Sequence, residues 1–554
     1  AIIISFFLPL LTVEVSAQAV LGKEKMKRFP TESPWVYPVG LGTLDGQDMY
    51  QAFSPVLRIN SGEFVHVWKA ERTRYDERRV SKYNIFQETI WETDIKLEDE
   101  ESIDFVYQED EQIIVLGSLG KRHSKEQMII AHILTQDSGK LVQTRIVHNQ
   151  RLKSDQTLFF EASPDSSKLL YYYFQHPKPG IHTRVSYFYT RQDNRVGYRY
   201  KNVDKVHLKI FDRKLNLLKD AELRVNSPKE AIMDCRIDND GNVYAISFEK
   251  PAILKAMQYN LATEEQQTIV YEDFLKPSDM NNRFNTRFPS FVGSGQKLYL
   301  PKAERKSYGR DKGTKAYELY CFDFQKGELD LSRRIDINPG LQIEIEKQRK
   351  ELGIKPLKRF DEYLMRDIFE TAGGDLWFLI QKFQTSSLEN PGYGNYWEET
   401  VNNYELGEFI IFQFSPEGKA VKAMIIPSYQ RISGFMERLF FDYHMQIDKE
   451  KGKISLLTYE PSEQKFRGPE RVFWRGINLR NGEISQKKKI YEGERRYQFF
   501  LNPYTLWMNE DILSFIMIEG DNGSAYRISV NLAGEFVEEE KKSRKKSQAK
   551  KGRF

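Results

Sequence analysis

The sequence predicts an all-β protein: a β-propeller of about eight four-stranded blades, with seven as the alternative count, long loop insertions on one face and one short inserted helix. Three observations predict it. Aromatic residues make up 13% of the 554 residues, with 36 Phe and 30 Tyr, a composition that leans toward strands. Helical periodicity is scarce, and short alternating apolar runs are broken by turn residues. Two kinds of hairpin also alternate along the chain.

The first kind is a tight turn followed by an apolar, aromatic strand. Its clearest copies are CRIDNDGNVYAISFE (235–249), FEASPDSSKLLYYYF (160–174) and IFETAGGDLWFLI (368–380). Eight such turns fall near Gly62, Glu111, Ser167, Gly241, Gly295, Gly374, Gly452 and Glu510, at steps of 49 to 79 residues. The second kind follows each of the first, as in FIIFQFSPEGKAVKAMII (409–426) and YCFDFQKGELDLSRRI (320–335), and also begins near Tyr83, Met128, Val206, Ala256, Val472 and Ala525. Two hairpins per unit make four strands, the content of a propeller blade. A pair of β-sandwiches would not require this alternation. Tyr171, Tyr172 and Tyr173 read as core and rim of one blade.

The extra length sits in connections, at 177–201, 302–315, 338–360 and 384–403. Strands in a meander run antiparallel, so both hairpin turns of a unit lie on one propeller face. The insertions must then share the other. The stretch LQIEIEKQRKEL between Pro339-Gly340 and Gly353 predicts the helix, within a helical insertion at 338–360. Scaffolded loops commonly carry function. Three insertions are rich in aromatic and charged residues, and they supply the candidate binding residues: Arg184, Arg191, Arg195 and Tyr198; Arg305, Tyr308 and Arg310; and Tyr393, Tyr396 and Trp397. Aromatic faces beside charged groups suit sugars, peptides or an acidic partner. The alternative is that these loops are solvated and pack on one another.

Catalytic motifs are absent: no His-Glu-x-x-His, Gly-x-Ser-x-Gly, phosphate loop or Gly-x-Gly-x-x-Gly occurs. GRDKGTK (309–315) resembles a phosphate loop only in composition. The eight histidines show no metal-ligand spacing, and His66 and His207 read as ordinary blade residues. His444 lies close to Asp442, without further catalytic context. Asp238-Asn239-Asp240-Gly241-Asn242 looks like part of a calcium loop, but Glu249, at position 12, lies beyond an apolar strand, so a tight turn is expected. No catalytic residue, metal site or cofactor is therefore assigned. Two cysteines exclude a disulfide-built scaffold; Cys235 and Cys321 could pair, or could be buried small hydrophobes.

Residues 1–19 read as a signal peptide with a truncated start. The run Ile2–Val13 is apolar and shorter than the roughly 20 residues of a membrane span, and Ala17 and Ala19 stand at the small-residue spacing of a cleavage site. The propeller is expected over 20–536 and a basic disordered tail over 537–554. Lys541–Phe554 hold eight basic residues and no acid, so that the chain is +4 with them and −4 without them. Such a tail suits peripheral contact with lipid head groups. The body shows no basic stripe for nucleic acid.

The stretch from Ile368, IFETAGGDLWFLIQKFQ, then a Tyr- and Asn-rich loop, then GEFIIFQFSPEGKAVKAMIIPSYQ, resembles exported proteins of Bacteroidetes with no assigned function. The resemblance is best over 367–460. Ser415-Pro416-Glu417-Gly418 departs from it where Asp is commoner. The resemblance implies compartment and fold and supplies no catalytic residues. Taken together, the sequence favours a non-catalytic exported β-propeller at the periplasm or outer-membrane surface, binding a protein or glycan partner. The alternatives are a propeller enzyme acting on glycans, as hydrolase or lyase, and a structural subunit of an envelope complex.

Overall fold

The computed structural model describes residues 20–26, 56–69, 77–98, 101–120, 126–151, 158–175, 186–189, 196–201, 203–225, 230–249, 253–272, 291–306, 313–351, 363–388, 401–428, 430–433, 443–461, 469–496, 498–519 and 525–533. Strand β1 (Val20–Met26), the first among the described residues, belongs to the last blade. Blade 1 is β2 (Val56–Arg58), β3 (Glu63–Lys69), β4 (Glu77–Asn84) and β5 (Thr89–Lys96). Blade 2 is β6 (Glu101–Glu109), β7 (Gln112–Gly120), β8 (Glu126–Thr135) and β9 (Leu141–Arg151). Blade 3 starts with β10 (Phe159–Ala162) and β11 (Lys168–Gln175). A separate hairpin of β12 (Ser186–Tyr189) and β13 (Val196–Lys201) follows, then β14 (Lys205–Asp212) and β15 (Leu217–Arg224) complete the blade. Blade 4 is β16 (Glu230–Ile237), β17 (Val243–Glu249), β18 (Ile253–Tyr259) and β19 (Gln266–Tyr271).

Blade 5 is β20 (Phe291–Gly293), β21 (Lys297–Lys306), β22 (Gly313–Asp323) and β23 (Glu328–Asp336), followed by the helix α1 (Pro339–Glu351). Blade 6 is β24 (Tyr363–Glu370), β25 (Leu376–Leu388), β26 (Val401–Phe414) and β27 (Ala420–Ile426), with β28 (Gln430–Ser433) paired to β26. Blade 7 is β29 (His444–Asp448), β30 (Lys453–Pro461), β31 (Pro469–Asn478) and β32 (Glu483–Ile484), with β33 (Lys488–Arg496) also on β31. Blade 8 is β34 (Gln498–Trp507), β35 (Ile512–Glu519) and β36 (Ala525–Asn531), with β1 as its outer strand.

The molecule is thus an eight-bladed β-propeller, and all eight predicted first turns join an inner strand to its neighbour. Their chemistry is local. At the fourth, Asp238 accepts from Asn242 N at 2.8 Å, Asn242 Nδ2 at 2.9 Å and Tyr244 OH at 2.8 Å, while Gly241 takes a φ of +89°. That carboxylate is committed to a turn, as its sequence suggested. Cys235 and Cys321 are both free and buried, in blades 4 and 5. Tyr171 and Tyr172 are buried and Tyr173 is half-buried, stacked on His207 with ring centroids 4.5 Å apart.

One expectation needs correction. The hairpin expected to begin near Ala525 does not form from consecutive residues. β36 pairs instead with β1, from Met26↔Ala525 to Val20↔Val530, so the ring closes by joining the two ends of the fold. The physical reason is edge satisfaction: β36 would otherwise present unpaired backbone groups at the rim.

The outer strands share a second device. Leu21, Ile90, Val142, Leu218 and Val421 each form an unpaired extra residue near the start of an outer strand. Ile90, Val142, Leu218 and Val421 are exposed there. A bulge twists the edge and interrupts the ladder, which blunts pairing with another chain. The core lies between blades, because each blade buries both of its faces against its neighbours. For example, Val65, Val67 and Val80 of blade 1 pack on Ile103, Val106, Ile113 and Val115 of blade 2.

Candidate functional site

Within each blade, the first-to-second and third-to-fourth strand turns lie on one face. The second-to-third connections and the links between blades open on the other. The insertions within blades 3, 5 and 6 fall in second-to-third connections, and α1 falls in the link between blades 5 and 6. All four therefore decorate one face.

Their attachment to the ring is specific. The β12–β13 hairpin does not pair with its own blade. β13 runs antiparallel to β16, the innermost strand of blade 4, with Tyr198↔Met233, Arg199↔Ile232, Tyr200↔Ala231 and Lys201↔Glu230 in register. This adds two strands on the axis side and makes a six-stranded sheet. The contact uses the first half of β16, the end nearest the insertion face, so the hairpin stands at the mouth of the channel. In blade 6, β25 and β26 continue as a ladder past a register shift, from Phe383↔Leu406 to Leu388↔Val401, and β28 broadens it. Six residues beyond that shift reach roughly 20 Å. In blade 5, β21 and β22 remain paired out to Lys306↔Gly313.

Among the predicted binding residues, Tyr198 lies on β13 at the channel mouth and Arg305 lies on β21 opposite Thr314. Arg184, Arg191, Arg195, Tyr308, Arg310, Tyr393, Tyr396 and Trp397 lie outside the described residues.

Sequence reading missed the buried anchor under this face. Asn338 caps α1: its Oδ1 accepts from Leu341 N at 2.9 Å, with Pro339 as the first helical residue. Ile345 and Arg349, one turn apart, are the buried residues of the helix. Arg349 Nη1 donates to Glu408 Oε1, and Tyr363 OH donates to the same oxygen at 2.5 Å. All three side chains are at most 3% exposed. Glu408 sits at the foot of the β25–β26 extension and Tyr363 opens the inner strand β24. One carboxylate thus ties helix, hairpin and channel wall together. Beside it, Arg366 Nε donates to Gln381 Oε1 at 2.7 Å, and Arg366 occupies a bulge in β24. In blade 5, Arg334 bridges Asp336 at 2.6 Å, Glu304 at 2.8 Å and Glu318, which cross-links three strands below the hairpin.

Blades 2 and 3 hold groups of catalytic type in structural positions. Glu101 Oε1 lies 2.9 Å from His132 Nε2, and Tyr171 OH donates to Asp104 Oδ2 at 2.9 Å. All four are buried. Burial, with Asp104 adding to it, holds the Tyr171 phenol well above its usual range, so it stays protonated as a donor. None of the four lines the cavity described next, and none is positioned to meet a substrate there.

That cavity, of about 430 Å³, opens on the opposite face, among the turns of blades 1 to 3. Arg58, Phe105, Tyr107, Gln108, Asp165 and Arg213 line it. Its charges are largely engaged: Arg213 pairs with Glu109 at 2.9 Å, Arg58 donates to Met508 O at 3.3 Å, and Asp165 accepts from Ser163 Oγ and Ser167 N. Among the described residues, no group of three His, Cys, Asp or Glu is placed to hold a metal ion, and no helix is long and apolar enough to cross a membrane.

No family model matches the sequence, and no curated protein matches it. Solved structures share the fold at low similarity. A prolyl endopeptidase is 11% identical, with a TM-score of 0.34 over 85% of this chain and 56% of that one, so this chain spans just over half its length. The polysaccharide lyase Uly1 is 11% identical, with a TM-score of 0.34 over 86% of this chain and 99% of that one. An ulvan lyase, solved bound to -[GlcA(1-4)Rha3S]-, is 8% identical, with a TM-score of 0.36 over 77% of this chain and 91% of that one. At these values none assigns a role to a residue of this chain.

Proposed function

We propose that the chain is a non-catalytic binding propeller that takes a protein or glycan partner on its insertion face, at the periplasm or outer-membrane surface. The observation that carries this reading is the β12–β13 hairpin on the inner edge of blade 4. An insertion built as extra strands on the inner edge of a blade places β12 and β13 at the channel mouth by backbone pairing. Glu408, with Arg349 and Tyr363, is committed to holding the face in place. Export rests on the apolar run and small residues of 1–19, and the basic tail adds an electrostatic contact with anionic head groups.

The test is a cross-linked pull-down of the tagged full chain from native cell envelopes, beside a variant with 186–201 replaced by a short turn. The reading expects a stoichiometric protein, or an envelope glycan, that the variant fails to recover. Equal recovery by the variant refutes the assigned face. Turnover of envelope glycans by the purified chain refutes the non-catalytic role.

A further inference from the structure

Seven of the eight joints between blades are closed by apolar clusters of ten or more buried residues. The joint between blades 8 and 1, where β1 completes the ring, is built differently. Strand alternation shows it directly. On β3, Val65 and Val67 face blade 2, while Phe64 and His66 face blade 8. On β4, Val80 faces blade 2, while Ser81 and Tyr83 face blade 8. On β35 and β36, Leu513, Phe515, Ile528 and Val530 face blade 7, while Ser514, Arg527 and Ser529 face blade 1. Among the described residues, the buried apolar part of this joint is Phe64, Tyr83 and Met508.

The polar residues are fully inside. His66, Ser81 and Ser529 are 0% exposed, Gln87 2%, Ser514 3% and Arg527 4%. Gln87, in the turn after β4, donates through Nε2 to Ser514 Oγ at 3.1 Å and to Ser529 Oγ. The Arg527 guanidinium lies 3.3 Å from the centre of the Tyr83 ring. His66 sits between Val56 of β2 and Ser81 of β4, and the charged group acting on it is Arg527 of β36. Glu92 of β5 is engaged with Ser81, Tyr83 and Arg79, and Arg79 pairs further with Asp94.

We propose that the joint between blades 8 and 1 is an acid-labile seam, at which protonation of His66 against Arg527 parts these two blades while the seven apolar joints hold the rest of the ring. Apolar burial does not respond to pH, but a second cation beside a buried guanidinium is strongly unfavourable. Burial, helped by Arg527, holds His66 well below its usual value of 6.5, so the closed seam keeps a neutral imidazole. In the parted seam the imidazole is hydrated and regains a value near 6.5. The open form then binds the extra proton, and acid favours opening. Between about pH 7.5 and about pH 5.5 this linkage raises the open population about tenfold.

The test uses the full chain with Ser529→Cys and, separately, Ser514→Cys, both near-isosteric. Labelling by a dipyridyl disulfide is followed at the two pH values and corrected by a model thiol. Native Cys235, in the joint of blades 3 and 4, and Cys321, in that of blades 5 and 6, are internal controls. The expected result is about tenfold faster labelling of the introduced thiols at the lower pH, with both native thiols protected and the response abolished by His66→Gln. No acid response at either introduced thiol, a parallel response at Cys235 and Cys321, or a response that survives His66→Gln overturns the proposal.

Discussion

Replacing Glu408 by Gln keeps the size of the side chain and removes its charge. Arg349, 3% exposed, would then lie in the interior opposite a neutral amide, with Glu346 at 3.7 Å. Breaking a buried ion pair from one side costs about 3–5 kcal/mol. Unfolding entropy is about 2.1 cal/mol/K per residue, or roughly 1.2 kcal/mol/K over the 554 residues. The expected fall in Tm is therefore about 3–4 °C. Tyr363→Phe removes one charge-assisted bond, worth about 1.5–3 kcal/mol, and should lower Tm by about 1–3 °C. The double variant Arg349→Met, Glu408→Leu removes both charges together and should recover most of the loss, because a buried pair is nearly neutral against an apolar replacement. Scanning calorimetry at neutral pH measures all three, and limited proteolysis within 339–351 reports release of the helix. A Glu408→Gln variant within 1 °C of the parent, or a double variant no better than the single one, would refute the claim that this pair anchors the insertion face.

Other perturbations test other parts of the fold. Gly139 has a φ of +67°, and a Cβ there would meet Trp91 Cε3 at 2.3 Å; Gly139→Ala should cost at least about 1–2 kcal/mol in urea denaturation, and a neutral result would displace Trp91 from that turn. Removing residues 1–26 strips six register pairs from β36, a loss of roughly 3–9 kcal/mol, and bares a strand edge; a lower Tm and association on size-exclusion chromatography are expected, and an unchanged monomer of unchanged Tm would contradict ring closure by β1. Overall stability should also fall in acid. The folded His66 is held below 6.5, so the unfolded chain binds the extra proton. The contribution is intact above about pH 6.5 and is lost as pH falls toward the folded value, by up to about 1.4 kcal/mol per pH unit, and His66→Gln should flatten this part of the profile.

The sequence by itself favoured eight blades over seven; the closed ring of sheets decided the count. By itself it determined the repeat, the face that carries the insertions and the site of the helix. Each depends on interactions a few residues apart: Asp238 bonding to Asn242, Gly241 at positive φ, Asn338 and Pro339 opening α1. Tertiary structure alone decided what depends on partners far along the chain. β1 meets β36 some 500 residues away. The β12–β13 hairpin leaves its own blade for the inner edge of the next one, a choice set by the open edge of β16. Glu408, Arg349 and Tyr363 come from three elements, and each reads alone as an ordinary surface residue. The joint of blades 8 and 1 was hidden most completely. His66, Ser81, Ser514, Arg527 and Ser529 alternate with apolar neighbours and so look like one solvent-facing side of a strand. In a propeller that side also faces a blade, and the polar groups end up buried because the ring closes over them.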